Sequence, residues 1–343
     1  MQDRKKTPFH AYVSPTPGEI TLFASGIVAD MVFLIDKEIF SELLACNFNT
    51  ASVICTIDIW NRMKLAQESL KNAKNAGVKI IAGNYFFSLG EPSSNLTLSD
   101  CRDYAKQFYD VFKAVNPNDV DTLANDIIKG WCMKDEPTYE QLTDSTPNAY
   151  NLRTMVNYMI DNDNTRPIQI NLVGGKSYKH MGDHSFESYL NAFQDYGLNL
   201  WSYDLYPITE KSCLISSSCT LEDNCMLEIK YAGFYGDLEI FSKRARDNGG
   251  VFWSCIQTME YISTTNEWHP AATEASLRFW LFSTLAFGAQ GIVYWTYLQR
   301  DDSGGEIYLS ALIDRHRQKT PAWYYAQRVN AEVRRYKELK FRI

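Results

Sequence analysis

Two adjacent carboxylates, Asp135 and Glu136, stand between an apolar run and a proline in the stretch Ile127-Ile-Lys-Gly-Trp-Cys-Met-Lys-Asp-Glu-Pro137. The run Ile127–Met133 has the composition of a buried strand. Pro137 cannot donate to a sheet ladder, so the strand stops there. Neighbouring carboxylates raise one another's pKa, which is how a carboxyl becomes a general acid near neutral pH. The bland alternative is a solvated acidic turn. Strict alternation along a strand would send the two side chains to opposite faces, so a bulge or the strand's end has to bring both inward.

The elements that would carry these groups follow one recurring unit: a short β-rich apolar run, a polar loop and an amphipathic helical stretch. Strands are expected at residues 20–24, 51–57, 79–87, 127–133, 167–173, 198–204, 251–257 and 292–297. Helices are expected at 36–46, 65–76, 99–115, 120–125, 148–161, 186–196, 226–247, 273–287 and 321–339. Apolar strands alternating with helices imply a parallel sheet covered on both faces. Eight such units point to an α/β fold, a single (β/α)8 TIM barrel over residues 19–343, after a Pro-rich lead-in at 1–18. An open nucleotide-binding sheet would want a G-x-G-x-x-G or P-loop turn after an early strand, and neither is present.

Active sites of such barrels lie at the C-terminal ends of the strands. The second strand delivers Asp58 and Trp60 there, the third Asn84 and Tyr85, and the fourth Asp135 and Glu136. The sixth delivers Tyr203, Asp204 and Tyr206, the seventh Gln257 and Glu260, and the eighth Trp295 and Tyr297. Carboxylates, amides and aromatic rings are the groups that accept hydroxyl protons, stack on sugar rings and protonate a glycosidic oxygen. Trp253 and Tyr294 read as core. His180 and His184 have the spacing of a helical metal pair, but Gly182-Asp183 lies between them and no third ligand follows. No metal and no cofactor is therefore expected. Lys134 is the only strand-end lysine of note, too little for an aldolase or a phosphate site.

Composition narrows the partners. The 343-residue chain has a net charge of −7, against nucleic acid and anionic membrane surfaces, both of which need clustered Lys and Arg. Aromatics make up 14% of it, with 8 Trp and 21 Tyr. No apolar run reaches the roughly 18 residues of a membrane span. No leader is visible at the N-terminus, which implies either a cytoplasmic protein or a leader already removed. Cys55, Cys132 and Cys255 fall in expected strands as small buried hydrophobes, while Cys213, Cys219 and Cys225 share a loop in which a disulfide could form.

Three motifs carry a family resemblance. Trp131-Cys-Met-Lys-Asp-Glu-Pro137 resembles the fourth-strand motif W-x-L-x-N-E-P of clan A glycoside hydrolases, with Asp135 where that clan has Asn. Gly288-Ala-Gln-Gly-Ile-Val-Tyr-Trp-Thr-Tyr297 resembles the eighth strand of family 42 β-galactosidases. Ser202-Tyr-Asp-Leu-Tyr-Pro207 is similar to a sixth-strand ending in glycoside hydrolases of gut Bacteroidetes. The resemblance implies a two-carboxylate, retaining cleavage of O-glycosidic bonds in an oligosaccharide or glycoside, by a periplasmic or secreted enzyme. Glu136 would be the general acid/base. Glu260 would be the nucleophile, with Gln257 at the more natural strand end and Asp204 as a substitute. Asp135, Asp204, Asn84, Tyr203, Trp295, Gln257 and Asp58 would bind the sugar, Trp295 by stacking on it. The competing expectation is a catalytically inactive carbohydrate-binding barrel.

Overall fold

Every one of the eight apolar runs becomes a strand of one closed sheet. The computed structural model describes residues 21–27, 37–55, 68, 70–84, 99, 102, 103, 105, 106, 109, 110, 127–143, 152–175, 181–209, 224–264, 266–302 and 304–336. The barrel strands are β1 (Thr21–Ile27), β2 (Thr50–Cys55), β3 (Lys79–Asn84), β4 (Ile128–Asp135), β5 (Ile168–Val173), β6 (Leu200–Asp204), β7 (Val251–Gln257) and β10 (Gly291–Trp295). They pair in parallel in the order β1-β10-β7-β6-β5-β4-β3-β2, and β2 closes on β1. The chain is an α/β TIM barrel.

Helices fill the connections as the alternation requires. They are α1 (Lys37–Ala45), α2 (Tyr139–Thr143), α3 (Leu152–Asn162), α4 (Phe186–Gln194), α5 (Asn224–Asp247), α6 (Glu274–Ala286) and α7 (Pro321–Tyr336), and residues 70–76 are also helical. Local chemistry starts several of them. Thr273 and Ser276 form a reciprocal capping box on α6, and Ser185 caps α4. None of the described helices is long and apolar enough to cross a membrane.

One element was not expected. A small antiparallel sheet is built from β8 (Glu260–Ile262), β9 (Trp268–His269) and β11 (Ile307–Ser310), in the order β11-β8-β9. It is assembled from the segments that follow β7 and β10, so it sits over the C-terminal side of those strands.

The interior of the barrel is a packed layer of Ile81, Cys132, Leu200, Val251, Trp253, Cys255 and Val293. Trp253 fits because Gly291 opposite it has no side chain: a Cβ there would stand 2.3 Å from the Trp253 Cδ1. Tyr294 lies in the larger core between strands and helices, fully buried, with its hydroxyl bonded to Asn330 of α7. Both residues are thus core, as their sequence context suggests. Cys132 and Cys255 are buried free thiols. The loop cysteines Cys213 and Cys219, and the side chain of Cys225, lie outside the described residues.

Candidate active site

The C-terminal end of β4 is where the two carboxylates are steered. β4 pairs with β5 in the register Trp131↔Ile168, Cys132↔Gln169, Lys134↔Ile170 and Asp135↔Asn171, so β4 carries one extra residue between Cys132 and Lys134. Cys132 points into the barrel. Without the bulge, alternation would turn Asp135 outward, opposite Leu172. With it, Asp135 falls opposite Asn171 and faces inward. Glu136 then leaves the strand with a φ of 42°. That left-handed conformation is uncommon for a residue with a side chain and re-aims its carboxylate.

The strand end is anchored on both sides of Glu136. Its amide donates to the Asn171 carbonyl at 2.8 Å. The carbonyl of Pro137 accepts from the hydroxyl of buried Tyr189 on α4 at 2.9 Å. Thr138 and Gln141 form the next capping box, opening α2 immediately beyond. The backbone strain at Glu136 is therefore held by tertiary contacts.

Asn171 organises the carboxyls. Its Nδ2 donates to Asp135 Oδ1 at 3.0 Å and to Asp204 Oδ1 at 3.2 Å. Its Oδ1 accepts from Ser202 Oγ at 2.9 Å, and Gln169 Nε2 donates to that Ser202 oxygen at 3.0 Å. Two carboxyls thus meet on one amide. The charges of Glu136 and Asp135 both act on Asp204. Burial pushes the Asp204 carboxyl well above the ordinary range, and the charges of Glu136 and Asp135 push it further. Burial also raises Asp135, opposed by the Asn171 hydrogen bond and by the charges of Lys134 and Arg300.

An aromatic wall adjoins the carboxyls. Tyr206 lies 5.3 Å from Trp295 with nearly parallel rings (17°). Tyr261 meets Trp295 edge-on at 5.3 Å, and Tyr308 does so at 6.1 Å. Trp295 and Tyr206 remain half-exposed, whereas Tyr261 and Tyr308 are buried behind them. Half-exposed ring faces beside hydrogen-bonding carboxyls are a surface on which a sugar can lie.

The structure brings Glu136, Asp135, Asp204 and Trp295 together at one end of the barrel. Three other candidates are placed elsewhere. Tyr203 is fully buried on the outer side of β6, stacked on Phe241 of α5 at 4.1 Å, because alternation points Ser202 and Asp204 inward and Tyr203 outward. Gln257 faces inward but is fully buried, and its amide donates to the carbonyls of Met259 and Pro270 at 3.2 and 3.0 Å. It ties down the turn after β7 and offers no surface to a ligand. Glu260 belongs to β8, and its Oε1 accepts from Trp268 Nε1 at 3.2 Å. Its neighbour Tyr261 faces Trp295, His269 and Tyr308, so alternation places Glu260 on the opposite, outer face of the small sheet. Asp58, Trp60, Tyr85, His180 and the Asn84 side chain lie outside the described residues. His184 is exposed and stacked on Tyr139 at 3.6 Å. Among the described residues, no group of three or more His, Cys, Asp and Glu side chains is placed to hold a metal ion.

Sequence reasoning passed over Asn171. The signal was there: Ile168-Gln-Ile-Asn-Leu-Val173 alternates polar and apolar, and an interior parallel strand has no solvent to explain its polar face.

Comparisons with known proteins agree with this architecture. No family model and no curated protein matches the chain. Solved structures do. A GH42 β-galactosidase from G. stearothermophilus, in a catalytic mutant form, superposes with a TM-score of 0.61 at 10% identity, covering 94% of this chain and 57% of the other. The β-galactosidase of the Antarctic haloarchaeon Halorubrum lacusprofundi gives 0.57 at 11% identity, covering 92% and 58%. Fungal β-1,4-galactanases give 0.55 at 13% identity, covering 90% and 99%. The chain spans less than three-fifths of the two β-galactosidases and nearly the whole of the galactanase. At this identity the likeness is one of fold: a TIM barrel of the kind that these glycoside hydrolases use.

Proposed function

We propose that this chain is a glycoside hydrolase that cleaves O-glycosidic bonds in an oligosaccharide or glycoside, with Glu136 as general acid/base. The observation that carries the reading is the convergence of Glu136, Asp204 and Asp135 at the C-terminal mouth of the barrel, beside the half-exposed rings of Trp295 and Tyr206. Glu136 protonates the leaving oxygen, Asp135 accepts from a sugar hydroxyl, and Trp295 stacks on the ring. Its likeness to β-galactosidase and galactanase barrels supports this class of substrate without naming the sugar.

A second reading, a carbohydrate-binding barrel without turnover, is favoured by one observation. A retaining mechanism needs a nucleophile about 5–5.5 Å from the acid. Glu260, the candidate on the far side, is turned to the outer face of β8, and Gln257 stands at the end of β7.

Glu136→Gln separates the two readings. The substitution keeps shape and removes the transferable proton. On a panel of aryl glycosides it is expected to cut turnover by roughly 10²–10⁴-fold while leaving sugar affinity intact. Turnover of the variant at the wild-type rate would remove Glu136 from the acid/base role. Binding with no turnover in the wild type would establish the second reading.

A further inference from the structure

We propose that Asp135 and Asp204 act as one preset pair that reads two different hydroxyls of the same sugar ring, with Asn171 as the positioning residue that sets their spacing. The pair selects a ring on which both of those hydroxyls are free. This deepens the carbohydrate reading of the site and rests on it, but it does not rest on turnover.

The pair is held by hydrogen bonds across three neighbouring strands. β4, β5 and β6 lie side by side, and Asn171 stands on the middle one. A single nitrogen, Asn171 Nδ2, donates to Asp135 Oδ1 at 3.0 Å and to Asp204 Oδ1 at 3.2 Å. A planar amide points its two N–H bonds about 120° apart, which puts the two acceptor oxygens roughly 5 Å from each other. That is the scale on which hydroxyls are spaced around one pyranose ring. The orientation of the amide is fixed from its other end. Its Oδ1 accepts from Ser202 Oγ at 2.9 Å and from Cys255 Sγ at 3.4 Å, and Gln169 Nε2 supports Ser202 at 3.0 Å. A flipped amide would turn its oxygen on two carboxyls and its N–H groups on two donors. Asn171, Ser202, Gln169 and Cys255 are all buried, so water does not compete for these bonds.

Each carboxyl spends one oxygen on Asn171 and remains half-exposed, so hydroxyls entering from the mouth can reach it. A hydroxyl both donates and accepts, so it pairs with a carboxyl in either protonation state. A ring position that bears only hydrogen leaves that carboxyl without its partner. The half-exposed ring of Tyr206, at the exit of β6, lies nearly parallel to Trp295 beside the pair. A sugar stacked on that wall brings its edge of hydroxyls to Asp135 and Asp204. The selectivity is thus built from the strands on either side of β5. Asp204 and Asn171 lie outside the Trp131–Pro137 motif and join Asp135 only through the sheet.

Calorimetric titration of the full chain with the methyl β-glycosides of glucose, galactose and mannose, each beside its monodeoxy analogues, reads the pair directly. For the sugar that binds best, two of the monodeoxy analogues are expected to bind about 10–100-fold more weakly, the loss of a hydrogen bond to a charged group. Asp135→Ala should abolish one of those penalties and Asp204→Ala the other. Asn171→Ala should shrink both together, whereas a loss of packing alone would weaken the parent sugar and its analogues equally and leave the ratios unchanged. A wild type penalised at fewer than two positions overturns the pair, and that result requires no variant to fold. One penalty removed by both aspartate variants, or unchanged ratios in Asn171→Ala, would overturn it too. Failure of the wider reading looks different. Sugars that bind with both penalties but are never cleaved defeat the hydrolase reading alone and leave the pair standing, and a chain that binds none of these sugars overturns both.

Discussion

Asn171→Ala removes the group on which the candidate site converges, and its cost can be worked out. Asn171 is 6% exposed, so water does not replace what is lost. Its amide donates to Asp135 at 3.0 Å and to Asp204 at 3.2 Å, and its carbonyl accepts from Ser202 at 2.9 Å. A hydrogen bond to a charged group contributes about 1.5–3 kcal/mol and a neutral one about 0.5–1.5 kcal/mol. The bonds share one amide and one network, so they do not add, and about 3 kcal/mol is the expected loss at neutral pH. The loss should also depend on pH in a defined direction. Burial raises the folded-state pKa of Asp135, and the Asn171 bond works against that rise. A carboxyl whose folded value lies above its unfolded value, about 4, has its full stability contribution below the unfolded value and loses it as pH rises through the folded one. Deleting Asn171 lifts the folded value further, so the variant's deficit should grow from acid toward neutral pH. Urea unfolding followed by tryptophan fluorescence at the two ends of that range measures it. A deficit under about 1 kcal/mol at neutral pH, or one equal at both pH values, would refute the clamp, since neither is what loss of a carboxylate-directed hydrogen bond produces.

Three further outcomes follow from other parts of the molecule. Glu260→Gln, on the outer face of β8, should change kcat/KM by no more than about twofold, the scale of surface substitutions of ~0.5 kcal/mol; loss of turnover would return Glu260 to the nucleophile role. Trp295→Ala should weaken sugar binding by about 2–10-fold, as the loss of roughly 0.5–1.5 kcal/mol of stacking predicts, and calorimetric titration with oligosaccharides reads that change. Gly291→Ala should destabilise the barrel by about 1–3 kcal/mol or more, seen as a lower thermal midpoint, because the new Cβ meets the buried Trp253 ring in the barrel interior.

The parts of this protein that were legible in its sequence are those that depend on local pattern. Eight apolar runs alternating with amphipathic stretches were enough for the barrel, and the run ending in Asp135, Glu136 and Pro137 was enough to put those carboxylates at a strand's C-terminal end. Trp295 at the end of β10 and the core placement of Trp253 and Tyr294 were read the same way. The facing of each side chain was another matter. Tyr203 and Asp204 are adjacent on β6, and both suit sugar binding by type, yet one packs under α5 and the other enters the site. Glu260 has the right chemistry for a nucleophile but sits one residue out of phase with Tyr261, which faces the aromatic wall.

Composition and periodicity by themselves determined the fold class and the end of the barrel where polar groups gather, because both follow from which residues avoid water over stretches of several positions. Only the tertiary structure decided which of those groups meet. The period of a strand is two, so a single extra residue in β4, opposite a partner strand more than thirty residues away, exchanges inside for outside. That exchange turns Asp135 toward Asn171, which also holds Asp204, and the left-handed turn that follows re-aims Glu136.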